Sequence, residues 1–373
     1  MGEMIKMTAP TGYYEVVKDW ISATKLSKKK HIKKLHFDNP VILTEPIGLE
    51  EPNFWTVRFS EAAAPFRQRN GIVDIIPGGR IFGAKPDILT PDHKLIWKHS
   101  REKYKLPEEH SIFQLNSLPL INQNYDTVAL LSIMDSGVYY HWMLDVLPRL
   151  HMLKLCGITP SRYVINGKKL APFQYETLEA LGVSREKVIE SHDGLHLQAK
   201  KLVIPHFTRG IRPRWVCDYL RQELMINKNM KPIRGFEKLF ISRTRASKRK
   251  LLNEAEVYEY LRQFGFQRIV LEDLSVSSQI QLFASAKVIA APHGAGLTNA
   301  LFSNPGATVI EFFAPSLVHN CYPILSSLVG HKHYYIIGEG ERPPEYVDPH
   351  DRSADITVNM KDLKKILKRS GIV

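Results

Sequence analysis

The chain has 373 residues, of which 44% are hydrophobic and 24% charged, and a formal net charge of +13. That length exceeds one ordinary hydrophobic core and fits two domains, and the composition excludes a disordered or fibrous protein. No apolar run approaches the roughly 18 residues of a membrane helix, and Cys156, Cys217 and Cys321, odd in number and far apart, speak against a disulfide framework or a zinc site.

In chain order, the opening residues lack the apolar core of a signal peptide and fit an N-myristoylation motif poorly. With the cysteine usage, this leads to the expectation of a cytoplasmic protein. Residues 8–24 predict a short capped helix packing Tyr14, Val17 and Trp20. Lys25 to Lys34 is the densest basic block. It reads either as a solvated, self-repelling surface segment or as an attachment to an anionic membrane face, worth roughly 1 kcal/mol per basic residue. Nucleic acid is not the expected partner, because no aromatics interleave and no zinc-finger, RNP or leucine-zipper signature follows. From about 38 to 125 the chain is β-like and rich in turns, with strands expected at 41–43, 54–59, 72–76, 80–82 and 94–97.

Strands interleaved with helices begin at 127–134. A long helical pattern follows over 139–156, then strands at 163–165, 188–189 and 201–205 with a helix at 173–181. This spacing predicts a mainly parallel sheet with crossover helices. Residues 206–236 are basic, carry Gly210, Pro213, Pro232 and Gly235, and hold one helix near 214–230, so a domain boundary is placed there. The second half repeats the alternation, with strands at 238–242, 268–271, 288–291, 308–313 and 333–337. Helices are expected at 254–264, 276–286, 297–302, 321–329 and 360–368, the last basic and amphipathic. That is a Rossmann-like pattern.

Within it, Lys287-Val-Ile-Ala-Ala-Pro-His293-Gly-Ala-Gly296-Leu-Thr-Asn299 reads as strand, glycine turn and helix. Such a turn aims backbone N–H groups and a helix dipole at whatever lies above it, which suits a phosphate, and His293 can add a donor. Gly294 and Gly296 permit positive φ or close backbone approach. The same turn also serves as a plain βα connection, and Asn299 stands where a dinucleotide fingerprint has its third glycine. At the ends of neighbouring strands stand Ser242-Arg243 with the cationic loop to Arg249, Glu272-Asp273, and Glu311 in an apolar strand. Guanidinium groups suit a pyrophosphate, and a carboxylate can accept ribose hydroxyls. In the first half, His141 and Asp145 share a helix face at i, i+4 spacing, as a base with an orienting partner or as a polar pair bracing a helix start.

His141-Trp-x-x-Asp145-x-x-Pro148-Arg149-Leu, Ile241-Ser-Arg243, Arg249-x-x-x-Asn253-Glu254 and His293-Gly-Ala-Gly296-Leu-Thr-Asn299, in this order, resemble glycosyltransferase family 61 over about residues 125–315. The resemblance implies an α/β protein of GT-B architecture, two Rossmann-like domains facing a cleft, with a β-rich N-terminal extension. The implied division is a helix and β-rich region at 1–120, an acceptor domain at 121–212, a linker at 213–236, a nucleotide-sugar domain at 237–352 and a terminal helix at 353–373. Also implied is an inverting transfer from a nucleotide-sugar donor to a glycan or lipid-linked glycan acceptor, with Asp145 or His141 as base. By matching position, Arg243, Arg249 and the His293, Gly294, Ala295, Gly296 and Leu297 turn would hold the donor diphosphate. Ser242, Asp273 and Glu311 are added to the donor side by strand position, and Tyr140, Trp142 and Arg149 are expected on the acceptor side.

No Asp-x-Asp triplet occurs, so no divalent metal or other cofactor is expected. With no leader in view, the expected setting is a bacterial enzyme of capsule or surface-polysaccharide synthesis, peripheral to the inner membrane face. The alternatives are an NAD(P)-dependent oxidoreductase, disfavoured by the missing glycine, and a catalytically silent glycan-binding protein on the same fold.

Overall fold

The computed structural model describes residues 7–37, 43–49, 71–102, 104–167, 169–207, 213–341 and 353–373. They fall into two compact units, one of residues 7–37 and 71–207, the other of residues 43–49 and 213–373. The strand expected at 54–59, and all but Leu43 of that at 41–43, lie outside the described residues. Leu43 itself is in no strand.

The first unit holds β1 (Met7–Thr8), β2 (Tyr13–Tyr14), β3 (Ile32–Leu35), β4 (Gly71–Pro77), β5 (Arg80–Phe82), β6 (Asp87–Leu89), β7 (Leu95–Ile96), β8 (Ser117–Leu118), β9 (Gln123–Leu130), β10 (Arg162–Asn166), β11 (Val188–Ser191) and β12 (His196–His206). Apart from the small β1–β8 ladder, these build one ten-stranded sheet. The expectation of a mainly parallel sheet holds for only part of it. β11, β10, β9 and β12 run parallel, whereas β12 pairs antiparallel with both β4 and β5. Parallel neighbours need long crossovers, and only the 131–195 stretch carries them; the short turns of 71–97 allow antiparallel hairpins alone. Tyr14 lies in a strand, and the first helix is confined to Val17–Ala23, burying Val17, Trp20 and Ile21. Most of the basic block is ordered: Lys28–His31 is helical, and Ile32–Leu35 pairs with β4 while exposing Lys33 and Lys34. Exposed lysines beside a strand blunt its tendency to recruit another chain.

The second unit holds β13 (Lys238–Ile241), β14 (Gln267–Ile269), β15 (Val288–Pro292), β16 (Thr308–Phe313) and β17 (Lys332–Ile337), all parallel in the order β14-β13-β15-β16-β17. Its strands read as near-continuous apolar runs because both faces are covered. On one face Phe240, Ala290, Ile310, Phe312 and Ile336 pack with Val257 and Leu261 of the helix Glu254–Arg262, and with Leu363, Ile366 and Leu367 of the helix Met360–Arg369. That last helix is thus a packed surface helix, basic on its outer side. Ser275 caps the helix Val276–Ser285, its hydroxyl accepting from Ser278 N–H at 3.1 Å. Gly330, at φ 82°, ends the helix Cys321–Val329 in the left-handed conformation that glycine adopts without steric cost. Ile47 bridges Tyr334, and Thr44 N–H donates to Ser327 Oγ at 2.7 Å, so residues 43–49 build onto this unit's sheet.

Among the described residues no helix is long and apolar enough to cross a membrane.

Candidate functional site

In the second unit the strand order changes direction between β13 and β15. In an open parallel sheet, ligands gather at such a point, beyond the carboxyl ends of the strands. The residues there are Ser242 and Arg243 after β13, and His293 to Leu297 after β15. A pocket opens between them, lined among others by Ser242, Arg243, Leu271, Glu272, Gly294 and Gly296.

The glycines are needed for space. Gly294 is extended (φ 179°), and neither turn glycine adopts positive φ. A Cβ at Gly294 would overlap the Arg243 guanidinium, and one at Gly296 would stand 2.6 Å from Leu271 Cδ1. Ala295–Phe302 is a 3-10 helix in place of the expected α-helix. Its i, i+3 spacing still buries Leu297, Ala300 and Leu301.

Arg243 is clamped from behind, Nε donating to the Arg249 carbonyl at 3.0 Å and Nη2 to the Lys248 carbonyl at 2.7 Å. Among the described residues it makes no ion pair, and burial, reinforced by the nearby Arg249 charge, lowers its pKa. Arg249 occupies the left-handed region (φ 55°), uncommon for a side-chain-bearing residue, and its Nε donates to the His293 carbonyl at 3.1 Å. One guanidinium is thereby tied to the turn itself, and the other packs against Gly294. Glu254, in the first turn of the helix Glu254–Arg262, organises the loop. It accepts from Ser242 Oγ at 2.6 Å and from Arg243 N–H at 3.2 Å, and pairs with Arg268 at 2.6 Å.

Three donor-side expectations change. Glu311 does not suit a ribose: it is wholly buried, with Oε1 2.5 Å from His293 Nδ1 and Oε2 3.1 Å from His333 Nε2. Asp273 pairs with Arg245 instead of lining the pocket, where its neighbour Glu272 stands. The Ser242 hydroxyl is committed to Glu254.

Burial pushes the Glu311 carboxyl well above the usual range and His293 well below it. It also lowers His333 to about 3. His333 is therefore neutral at pH 7, and burial favours the uncharged forms of Glu311 and His293. One proton arrangement that fits these contacts has Ser326 O–H donating to His333 Nδ1 (2.8 Å), His333 Nε2–H to Glu311, and Glu311 O–H to His293 Nδ1. His293 Nε2 then carries a hydrogen and is a donor. No sequence pattern joined His333 or Ser326 to the turn; only the β16–β17 pairing does.

In the first unit, Tyr139–His141 starts a helix after β9, Trp142–Val146 widens to a π turn, and Pro148–Leu155 continues as α-helix. Pro148 follows the π turn and has no N–H for the carbonyl four residues earlier. Leu147 N–H instead reaches back five residues to Trp142 O at 3.0 Å. On this turn His141 Nδ1 lies 2.7 Å from Asp145 Oδ2; the Asp145 side chain is 1% exposed and that of His141 29%. The histidine is thus the member that reaches solvent, with the carboxylate behind it. Tyr140 is half-buried, its ring edge-on to His141. Trp142 and Arg149 do not front an acceptor. Trp142 is fully buried with its indole N–H on Thr177 Oγ1 (2.8 Å), and buried Arg149 donates to the Asp145 carbonyl (3.0 Å).

Residues 139–310 match the family model Glycosyltransferase 61. The chain is 36% identical over 128 residues to the beta-1,2-xylosyltransferase XAX1 of Oryza sativa subsp. japonica, covering 32% of this chain and 22% of that protein. It is 38% identical over 100 residues to the protein O-linked-mannose beta-1,4-N-acetylglucosaminyltransferase 2 of Tetraodon nigroviridis, covering 25% and 17%. To the same-named protein of Xenopus laevis it is 28% identical over 173 residues, covering 44% and 29%. The chain thus spans less than a third of the length of each of these relatives. The matched segment carries both the His141–Asp145 helix turn and the glycine turn with its arginines, and over that segment the chain is similar to glycosyltransferase family 61.

Proposed function

We propose that this protein is an inverting, nucleotide-sugar-dependent glycosyltransferase of GT-B architecture, acting on a glycan hydroxyl. The observation that carries this reading is the pair Arg243 and Arg249 beside a glycine turn at a strand-order switch point, within a segment similar to family 61 that also holds a solvent-reaching His141 backed by Asp145. The donor diphosphate lies against Arg243, Arg249 and the turn, with His293 Nε2–H as a further neutral donor. His141 takes the proton of the acceptor hydroxyl as its oxygen bonds to the anomeric carbon. The bond from that carbon to the diphosphate oxygen breaks with inversion, and the electron pair leaves with the diphosphate. Charge developing there is met by guanidinium and N–H donors already in place, the arrangement that lowers barriers most. Asp145 orients the His141 ring and stabilises its protonated form. With two arginines at the leaving group, we assign no divalent metal to that step.

A thermal-shift panel of nucleoside diphosphates and NAD(P), run with and without chelator, tests the reading. A ligand at about 100 times its dissociation constant adds roughly 2.7 kcal/mol of stability. Stabilisation by one nucleoside diphosphate in chelator supports the transferase and names its donor class. Response to NAD(P) alone would replace it with the oxidoreductase.

A further inference from the structure

We propose that Asp74, His99 and His206 of the first unit form a binding site for a divalent transition metal of the zinc class. Among the described residues, these are the only three ligating side chains gathered closely enough to share an ion, with all their ligand atoms within 4.8 Å of one another. Asp74 Oδ2 lies 2.9 Å from His206 Nε2 and 3.3 Å from His99 Nε2. A tetrahedral zinc ion with bonds of about 2.0–2.1 Å separates its ligand atoms by about 3.3 Å, so a cation needs only small side-chain shifts to reach all three. The two imidazole rings stand 4.7 Å apart at 70°, so they do not stack face to face.

Three distant parts of the chain supply the ligands, and the sheet fixes two of them. Asp74 on β4 is opposite Ile204 on β12, and His206 ends β12. His99 comes from the short helix Trp97–Ser100. Asp74 is buried, and the two histidine side chains are 12% and 29% exposed, which leaves an approach from solvent. Two imidazoles select zinc, cobalt, nickel or copper over magnesium or calcium.

Three protein ligands leave a fourth position for water or a substrate oxygen, the pattern of catalytic rather than structural zinc. Topology gives that position a use. β12 runs parallel to β9, so His206 is at the same sheet edge as the segment leading from β9 to His141.

The test strips the full-length protein with chelator and titrates it with Co2+, followed by absorption spectroscopy, then displaces cobalt with Zn2+. The expected result is one equivalent with the visible band of a low-coordinate site. Binding should weaken by about 100-fold or more in both His206→Ala and Asp74→Asn, at or beyond the loss caused by removing a mere supporting partner. Circular dichroism confirms that each variant is folded, and His206→Gln serves if His206→Ala is not. A folded wild type that takes up no cobalt overturns the site, as does binding unchanged in both variants; the carboxylate would then simply accept two N–H bonds. The readout needs neither donor nor acceptor, so its failure leaves the transferase reading standing, and the reverse.

Discussion

Each unit contains a histidine hydrogen-bonded to a carboxyl group, and the two pairs are built for different work. His141 and Asp145 sit four residues apart on one helix, with the ring reaching solvent and the carboxylate behind it. His293 comes from the turn after β15 and Glu311 from the adjacent strand β16, both buried, with His333 and Ser326 continuing the chain inward. An exposed ring with a carboxylate behind it can take a proton and be stabilised when charged. A buried ring against a neutral carboxyl group gains no such stabilisation, and with Glu311 donating to its Nδ1 it would serve as a donor through Nε2. Local helix geometry builds the first pair, and strand pairing builds the second.

The largest effect separating the pairs is on turnover. His141→Ala and Asp145→Asn should each lower kcat by about 10²–10⁴-fold, the range that general base catalysis supplies, with nucleoside diphosphate affinity unchanged. Full activity in His141→Ala would remove it as the base. At the other pair the effect should appear in donor binding. Arg249→Ala should weaken nucleoside diphosphate binding by roughly 10- to 100-fold, as loss of a charge-assisted hydrogen bond does. Gly294→Ala should follow it by displacing Arg243. Equal affinity in calorimetry for Arg249→Ala and wild type would take Arg249 out of the site.

The next effect is on stability against pH. Burial lowers His333 to about 3 and His331 to about 4. Below about pH 6.5 the unfolded chain protonates both while the folded chain does not, so stability present at neutral pH is lost as pH falls toward those values. Each should contribute a slope of up to about 1.4 kcal/mol per pH unit, and His333→Asn should flatten the acid limb of urea midpoints by one such share. An unchanged limb would mean that His333 is protonated in the native state. The smallest effect sharpens the comparison most. If Glu311 is neutral, Glu311→Gln is nearly isosteric and should cost no more than about 1 kcal/mol. A loss of about 3–5 kcal/mol would identify an ionised, paired carboxylate.

The amino-acid sequence by itself determined whatever depends on near neighbours. The strands at 308–313 and 288–291 were legible because buried parallel strands are continuous apolar runs, the second running one residue further, through Pro292, in the structure. His141 and Asp145 were legible as a pair because a helix brings i and i+4 together. What depends on which distant strands touch was decided only by the tertiary structure. Residues 43–49 join the second unit's sheet although 200 and more residues separate them from Ile47's partner Tyr334. Glu311 faces two histidines because β16 lies beside β17 and the turn after β15 folds over it. Trp142 and Arg149, placed on the acceptor side by their proximity to His141, turned into the core because the other faces of that helix have to bury against the sheet. Asp74, His99 and His206 share no local pattern at all: β4, β12 and a one-turn helix had to meet before the three side chains became one cluster.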